Sequence, residues 1–321
     1  MTGTTSSTVA WAGIAALGLL PLLGLGNYIQ HLLILWLLFS LMAISLNLIV
    51  GYLGELSFGH AAFFGIGAYA SAMSVVFLGY SFWGGLVLAP IVSGLFGLVV
   101  GYVALRVKGP QFAILTLGFG AIIHSVCINW MDFTNGPLGI TRIPRPEIAW
   151  APWLDFSKAE TYYYLVLVVV ALFLYFCNAL LLSKTGRAIL AIRENDVLAA
   201  AAGINVFAYK LLAFVLATMM VGIAGSLYAH YMGVITPDLM TLAYMAPMIV
   251  MVIVGGKGTV VGPLVGAFVY VALLEVLRAS GSMRMLVFAV LLALCVIALP
   301  GGVVSLWPRL FGQRAATEKR R

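Results

Sequence analysis

Apolar runs follow one another along almost the whole of this chain, and the charged residues are confined to the short gaps between them. A bilayer core is about 30 Å thick, and a helix needs about 20 apolar residues to cross it. Lipid offers the backbone no hydrogen-bond partners, so such runs must close their own bonds as helices. The candidate spans are residues 9–26, 31–50, 57–78, 82–105, 112–131, 161–183, 206–231, 241–254, 259–277 and 284–300. The segment 241–254 is too short to cross straight, so adjoining non-helical backbone is expected to complete it. The fold expected is all-α: a polytopic transmembrane helix bundle of about ten spans with broken or re-entrant helices. A single membrane domain over 1–310 and a basic tail over 311–321 complete the expected organisation.

Composition removes the alternatives. The chain is 63% hydrophobic and 8% charged over 321 residues, whereas a soluble domain carries about 25% charged residues. The net charge of +7 is scattered through loops rather than gathered on one face, which excludes a nucleic-acid surface. Cys127, Cys177 and Cys295 fall within apolar spans without metal-ligand spacing and read as small buried hydrophobes. His31, His124 and His230 are isolated from one another, so no metal site is expected. The N-terminal run lacks a basic n-region and a small-residue cleavage site, and reads as an uncleaved first span.

Orientation follows from the basic residues. With the N-terminus in the cytoplasm, Arg106, Lys108, Lys184, Arg187, Arg193, Lys210, Lys257, Arg309, Arg314, Lys319, Arg320 and Arg321 lie inside. Only Arg142, Arg145, Lys158, Arg278 and Arg284 then lie outside, and both termini are cytoplasmic. The outer segment 132–160 is rich in Pro and Gly, and with Trp150, Trp153 and the adjacent Trp130 it suits an interface or a partner. The inner segment 184–205 reads as two short helices. Asn195 or Asp196 caps the second, Gly203 ends it in a left-handed conformation, and Ala199 to Ala202 keep it slender enough to dock against a soluble partner.

Small residues point to close packing. Ser57, Ala61, Gly65, Ala68 and Ala72 share a helix face; Gly258, Gly262 and Gly266 repeat at strict fours; Gly97 and Gly101 form a shorter pair. Two stretches, GYLGELSFG (51–59) and GGKGTVVGP (255–263), concentrate glycine where a helix should begin. Backbone freed by Gly51, Gly54, Gly59 and their counterparts is tolerated only beside protein or a watery cavity, as in the interrupted helices of transporters. Glu55, Ser57 and His60 within the first stretch are ionisable or polar groups at a membrane span, and such groups mark functional sites. A serine nucleophile at Ser57 with His60 as base lacks a partner motif and an orienting group. No catalytic residue is therefore assigned.

Six motifs in collinear order carry a resemblance: GYLGELSFGHAAFFGIGAYASA, RVKGPQFAILTLGFG, FTNGPLGI, GRAILAIRENDVLAAAAGINVFAYKLLAF, GIAGSLYAHYMGVITPD and VGGKGTVVGPLVGA. Over residues 40–280 the chain resembles the permease subunits of branched-chain amino-acid (leucine/isoleucine/valine) ABC importers, the M-type more than the H-type. The resemblance implies a bacterial or archaeal cytoplasmic-membrane permease paired with a second, homologous permease. Two cytoplasmic ATPases would bind ATP and Mg, this chain binding no cofactor, and an outer solute-binding protein would deliver substrate. Arg187, Arg193, Glu194, Asn195, Asp196, Ala199 and Gly203 match the ATPase-coupling loop. Asn47, Glu55, Ser57, His60 and Thr116 become candidates for the solute path, with Gly51, Gly54, Gly59, Gly65, Gly258, Gly262 and Gly266 for helix packing or hinge. Ala121, Ala200 and the ending LPGGVVSL depart from the family pattern, which leaves urea, short amides or other small acids as alternative cargo. The chain carries no G-x-x-x-x-G-K-[ST] phosphate loop, so hydrolysis would belong to partners. A stand-alone secondary transporter using Glu55 and His60 as a proton relay is the remaining alternative, and it leaves the alanine-rich inner loop unexplained.

Overall fold

A computed structural model describes residues 17–23, 26–147, 155–278 and 301–305. The expected span 284–300, the tail 311–321, Cys295, Trp150, Trp153 and most of the span 9–26 lie outside the described residues. In chain order the helices are α1 (Asn27–Asn47), α2 (His60–Val76), α3 (Phe82–Ala104), α4 (Pro110–Asn129), the single turn α5 (Met131–Thr134), α6 (Ala159–Leu182), α7 (Lys184–Glu194), α8 (Asp196–Ala201), α9 (Val206–Met232), α10 (Leu242–Gly255) and α11 (Gly262–Val276). α1 continues as a π-helix over Leu48–Leu53.

Five of these helices are long and apolar enough to cross a membrane: α1 with its π-turn, α3, α4, α6 and α9. Three shorter apolar helices, α2, α10 and α11, bring the described apolar helices to eight against the ten expected. At 1.5 Å per residue, the 14 residues of α10 span about 21 Å, short of the bilayer core. The 3-10 turn Pro237–Met240 precedes it, and residues 256–261, a run of turns and bends, follow it.

α9 occupies the centre of the bundle, packed most extensively on α2 and α3 and also on α1; α1 in turn meets α6, α10 and α11. Small residues make the central approach possible. A Cβ on Gly225 would lie 2.1 Å from the Phe64 carbonyl oxygen, and one on Gly67 2.4 Å from Gly222 Cα, so α2 and α9 touch backbone to backbone. On the other side of α9, a Cβ on Gly97 would lie 2.1 Å from Thr218 Oγ1, and one on Gly101 2.8 Å from Phe214, so the Gly97/Gly101 pair does line a helix contact. α10 and α11 meet in the same way: Cβ atoms on Gly255 and Gly266 would lie 1.9 Å from Gly262 O and 1.8 Å from Met251 O.

Two expectations need correction, and one small feature adds to the all-α class. The first concerns Ser57, which was expected to start a helix at 57. Helix α2 starts at His60, and residues 54–59 are non-helical, so Ser57 precedes the small-residue face rather than opening it. Gly54 has a φ of 82°, which turns the chain out of the π-helix before Ser57 is reached. The second concerns Gly258, which lies before α11 with a φ of 76°. Only Gly262 and Gly266 of its triplet are helical. The all-α class holds, and the added feature is a small sheet. Ile140–Thr141 pairs antiparallel with Val234–Ile235, because Gly233 (φ 72°) ends α9 and leaves extended backbone that the outer segment satisfies. The Ile143 amide donates to Gly233 O at 3.1 Å in the same contact.

Candidate coupling junction and solute path

One end of the bundle gathers the two glycine-rich breaks and the α7–α8 hairpin. Asn47, the last residue of α1, clamps the 256–261 connection: its Oδ1 accepts from the Gly258 amide and its Nδ2 donates to Thr259 O, both at 2.9 Å. Gly51, one turn later, has no room for a side chain, since a Cβ there would lie 2.0 Å from Asn47 Oδ1 and 2.5 Å from Gly258 N. Its carbonyl is among those that a helix end leaves unbonded, and Arg193 Nη1 donates to it at 2.8 Å. Thr259 Oγ1 accepts from Gly262 N at 3.0 Å and caps the start of α11.

Glu55 lies in the gap between the π-helix and α2, with its side chain 11% exposed. It pairs with Lys210 Nζ in the first turn and a half of α9, whose side chain is 8% exposed. Sequence reading placed Glu55 near a loosened helix end and missed this partner, which lies 155 residues away. The available signal was Lys210 itself, a charge beginning an otherwise apolar span.

Of the other path candidates, Thr116 on α4 accepts from the Phe58 amide at 3.1 Å and donates to Ala113 O at 2.9 Å, tying α4 to the segment before α2. Gly59 lies against the same residue, where a Cβ would meet Thr116 O at 2.3 Å. His60 is fully buried and contacts Ser45 Oγ at 2.9 Å through Nε2. Ser45 already donates to Met42 O at 2.8 Å, so Nε2 carries the proton and donates. His60 Nδ1 and Ser57 Oγ then remain buried without a partner among the described residues. Asn47 and Thr116 therefore spend their polar groups on backbone, whereas Ser57 and His60 keep unused capacity. Gly65 packs on Met240, where a Cβ would lie 2.4 Å from Cγ.

The α7–α8 hairpin forms as its residue types dictate. Ser183 caps α7 by accepting from Gly186 N at 3.1 Å, a cap that sequence reading missed. Gly186, Ala188, Ile189 and Ile192 give α7 one buried face. Arg187 turns back to the Leu182 carbonyl at 3.0 Å. Asn195 Oδ1 accepts from the amides of Val197 and Leu198, both at 3.0 Å, so Asn195 is the expected cap of α8. Gly203 follows with a φ of 83°, in the left-handed region as expected. Ala199 is buried, while Val197 and Leu198 are 69% and 67% exposed. Glu194 is also exposed. Lys108, from the α3–α4 connection, meets Asp196 at 2.6 Å and holds its carboxyl below the usual carboxylate range. The pair therefore exists above the ordinary carboxylate pKa of about 4 and is lost as pH falls through the lowered native value.

The opposite end is tied through a buried chain. Pro144 O can only accept, so His230 Nδ1 donates to it, at 2.6 Å. Nε2 then accepts from Ser71 Oγ at 3.0 Å, and Ser71 accepts from Ser226 at 2.7 Å. The outer segment is thus anchored to α2 and α9. Among the described residues there is no group of His, Cys, Asp and Glu able to hold a metal ion.

Comparison with known proteins fits this architecture. The chain is 32% identical over 289 residues to the high-affinity branched-chain amino acid transport system permease protein LivM of Salmonella typhimurium, covering 84% of this chain and 68% of that protein. It is 31% identical over 292 residues to the Escherichia coli LivM, covering 85% and 69%. The corresponding LivH permease of Salmonella typhimurium is 26% identical over 286 residues, 83% of this chain and 91% of that protein. No solved structure gives a significant match. Residues 28–299, most of the chain, match the family described as the permease component of the branched-chain amino acid transport system, and the chain belongs to that family.

Proposed function

We propose that this chain is the M-type permease subunit of an ATP-driven importer for branched-chain or related amino acids, working by alternating access with a second, homologous permease. Two cytoplasmic ATPases supply ATP hydrolysis, and an outer solute-binding protein docks on the outer side that includes 132–160. The observation that carries this reading is the capped α7–α8 hairpin. It projects Val197 and Leu198 outward while its buried face and Arg193 grip the bundle. Two exposed apolar side chains on a short, rigid helix suit a protein partner at the membrane surface. The proposed solute path uses the unpartnered polar groups of Ser57 and His60 beside the break at 54–59, because a zwitterionic amino acid suits hydroxyls, imidazole and helix ends better than fixed charges.

The chain purified from its own membrane should bring with it a second permease and an ATPase carrying a phosphate loop, identified by mass spectrometry. Recovery of the chain alone, from membranes active in uptake, would count against the assembly.

The hairpin also yields a local prediction. The Lys108–Asp196 pair lies at the surface, with Lys108 exposed and Asp196 half-buried, and contributes about 1 kcal/mol to stability. Asp196→Lys also sets a like charge beside Lys108 in the first turn of α8, so the thermal midpoint of the purified subunit should fall slightly without loss of the fold. In the reconstituted importer it should lower uptake per ATP hydrolysed by about ten-fold, the scale of a typical coupling free energy. Equal uptake per ATP in variant and parent would remove Asp196 from the coupling surface.

A further inference from the structure

The three glycines Gly51, Gly54 and Gly258 come from two different breaks in the bundle, and a single side chain from the hairpin occupies the space between them. Arg193 Nη1 donates to Gly51 O at 2.8 Å. A Cβ on Gly258 would lie 3.0 Å from that same nitrogen, and one on Gly54 would lie 3.0 Å from Arg193 Cγ. The stem and head of Arg193 thus take up room that side chains at 54 and 258 would need. Gly51 and Gly258 are held together on their other side by Asn47, which bonds the 258 amide and the 259 carbonyl.

We infer that Arg193 is a positioning residue that carries displacement of α7 into two parts of the bundle at once: the π-turn of α1 and the connection between α10 and α11. The inference deepens the importer-subunit reading and rests on it. A π-turn is a poorly bonded stretch of helix that recurs at functional sites, and its carbonyls at the C-terminal end lack partners within the helix. A cation at a helix C-terminus satisfies such a carbonyl and the negative end of the dipole together. Here that cation belongs to a different helix, α7, whose neighbours in the hairpin, Glu194, Val197 and Leu198, are exposed. Pushing the hairpin therefore shifts the Gly51 carbonyl. Through Asn47 it also shifts the 256–259 backbone, from which Thr259 caps α11. Arg193 is itself exposed in the subunit, and what separates it from Glu194, Val197 and Leu198 is the hydrogen bond of its Nη1 to Gly51 O.

The test uses the complete importer in proteoliposomes, with radiolabelled leucine as the probe. Arg193→Met keeps most of the stem and removes the donors; Arg193→Lys keeps one donor. For Arg193→Met, the ATPases should stay bound and hydrolysis should remain near parental, while leucine uptake per ATP falls by about ten-fold or more, with Arg193→Lys in between. The proposal is overturned if Arg193→Met releases the ATPases, if uptake and hydrolysis fall in parallel, or if uptake per ATP is unchanged. Should Arg193→Met not be recovered as a folded subunit, Arg193→Lys alone carries the test: lowered uptake per ATP supports the role, and an unchanged ratio overturns it. Failure of the importer reading shows differently, as leucine uptake by the parental assembly that needs no ATP.

Discussion

Lys210→Met is expected to be among the most damaging single substitutions in the chain, and the added change Glu55→Gln is expected to recover much of the loss. Glu55 and Lys210 are both nearly buried and form an ion pair between the 54–59 break and the start of α9. Removing one member of such a pair leaves the other charge buried without its partner, at a cost of about 3–5 kcal/mol. Replacing both members removes the desolvation penalty together with the attraction, which is often neutral. Thermal midpoints of the detergent-purified subunit measure this directly: Lys210→Met should fall well below the parent, and the double variant should fall between them or return to the parental value. Because the pair is buried, added salt should change these differences little. A midpoint unaffected by Lys210→Met would show that the pair does not hold this end of the bundle together.

Gly225→Val should prevent recovery of a folded subunit. Its Cβ would lie 2.1 Å from Phe64 O and 2.8 Å from Ala68 N, and these are backbone atoms that no rotamer change can move. Overpacking in a core that can adjust costs about 1–3 kcal/mol; at a backbone crossing the helices must separate, and the cost exceeds that range. Gly118→Val is the control, because a Cβ on Gly118 meets nothing within 4 Å. Size-exclusion profiles should show aggregate or no protein for Gly225→Val and a parental peak for Gly118→Val. A monodisperse Gly225→Val subunit would contradict the close α2–α9 crossing.

The contrast between those two glycines shows what the sequence makes legible. Spacing revealed Gly97 and Gly101, which do line the α3–α9 contact, and Gly262 and Gly266, which line α10–α11. It did not reveal Gly67, Gly222, Gly225 or Gly255, since a close approach depends on which residue stands opposite. Both glycine-rich breaks were legible because glycine density weakens helices locally. The start of α2 at His60 was not, because it depends on the left-handed turn at Gly54 and on Thr116 receiving the Phe58 amide from another helix. Caps are local, so Asn195 and Gly203 could be read directly. The Glu55–Lys210 pair and the Asn47 clamp span 155 and 211 residues of sequence, and no local pattern encodes them. Asn47 illustrates the consequence: the sequence shows a polar residue in an apolar span, but not that its amide is engaged by the backbone of the 256–261 connection.

The central claim is that this permease moves solute only when partner ATPases drive it through the α7–α8 hairpin. The most direct measurement is leucine uptake into proteoliposomes containing this subunit, its paired permease and the solute-binding protein, with and without the ATPases and internal ATP. Uptake that requires both ATPases and ATP, and that is insensitive to a proton or sodium gradient, is the predicted result. Concentrative uptake driven by an ion gradient without the ATPases would contradict it and would return Glu55 and His60 to the role of a proton relay.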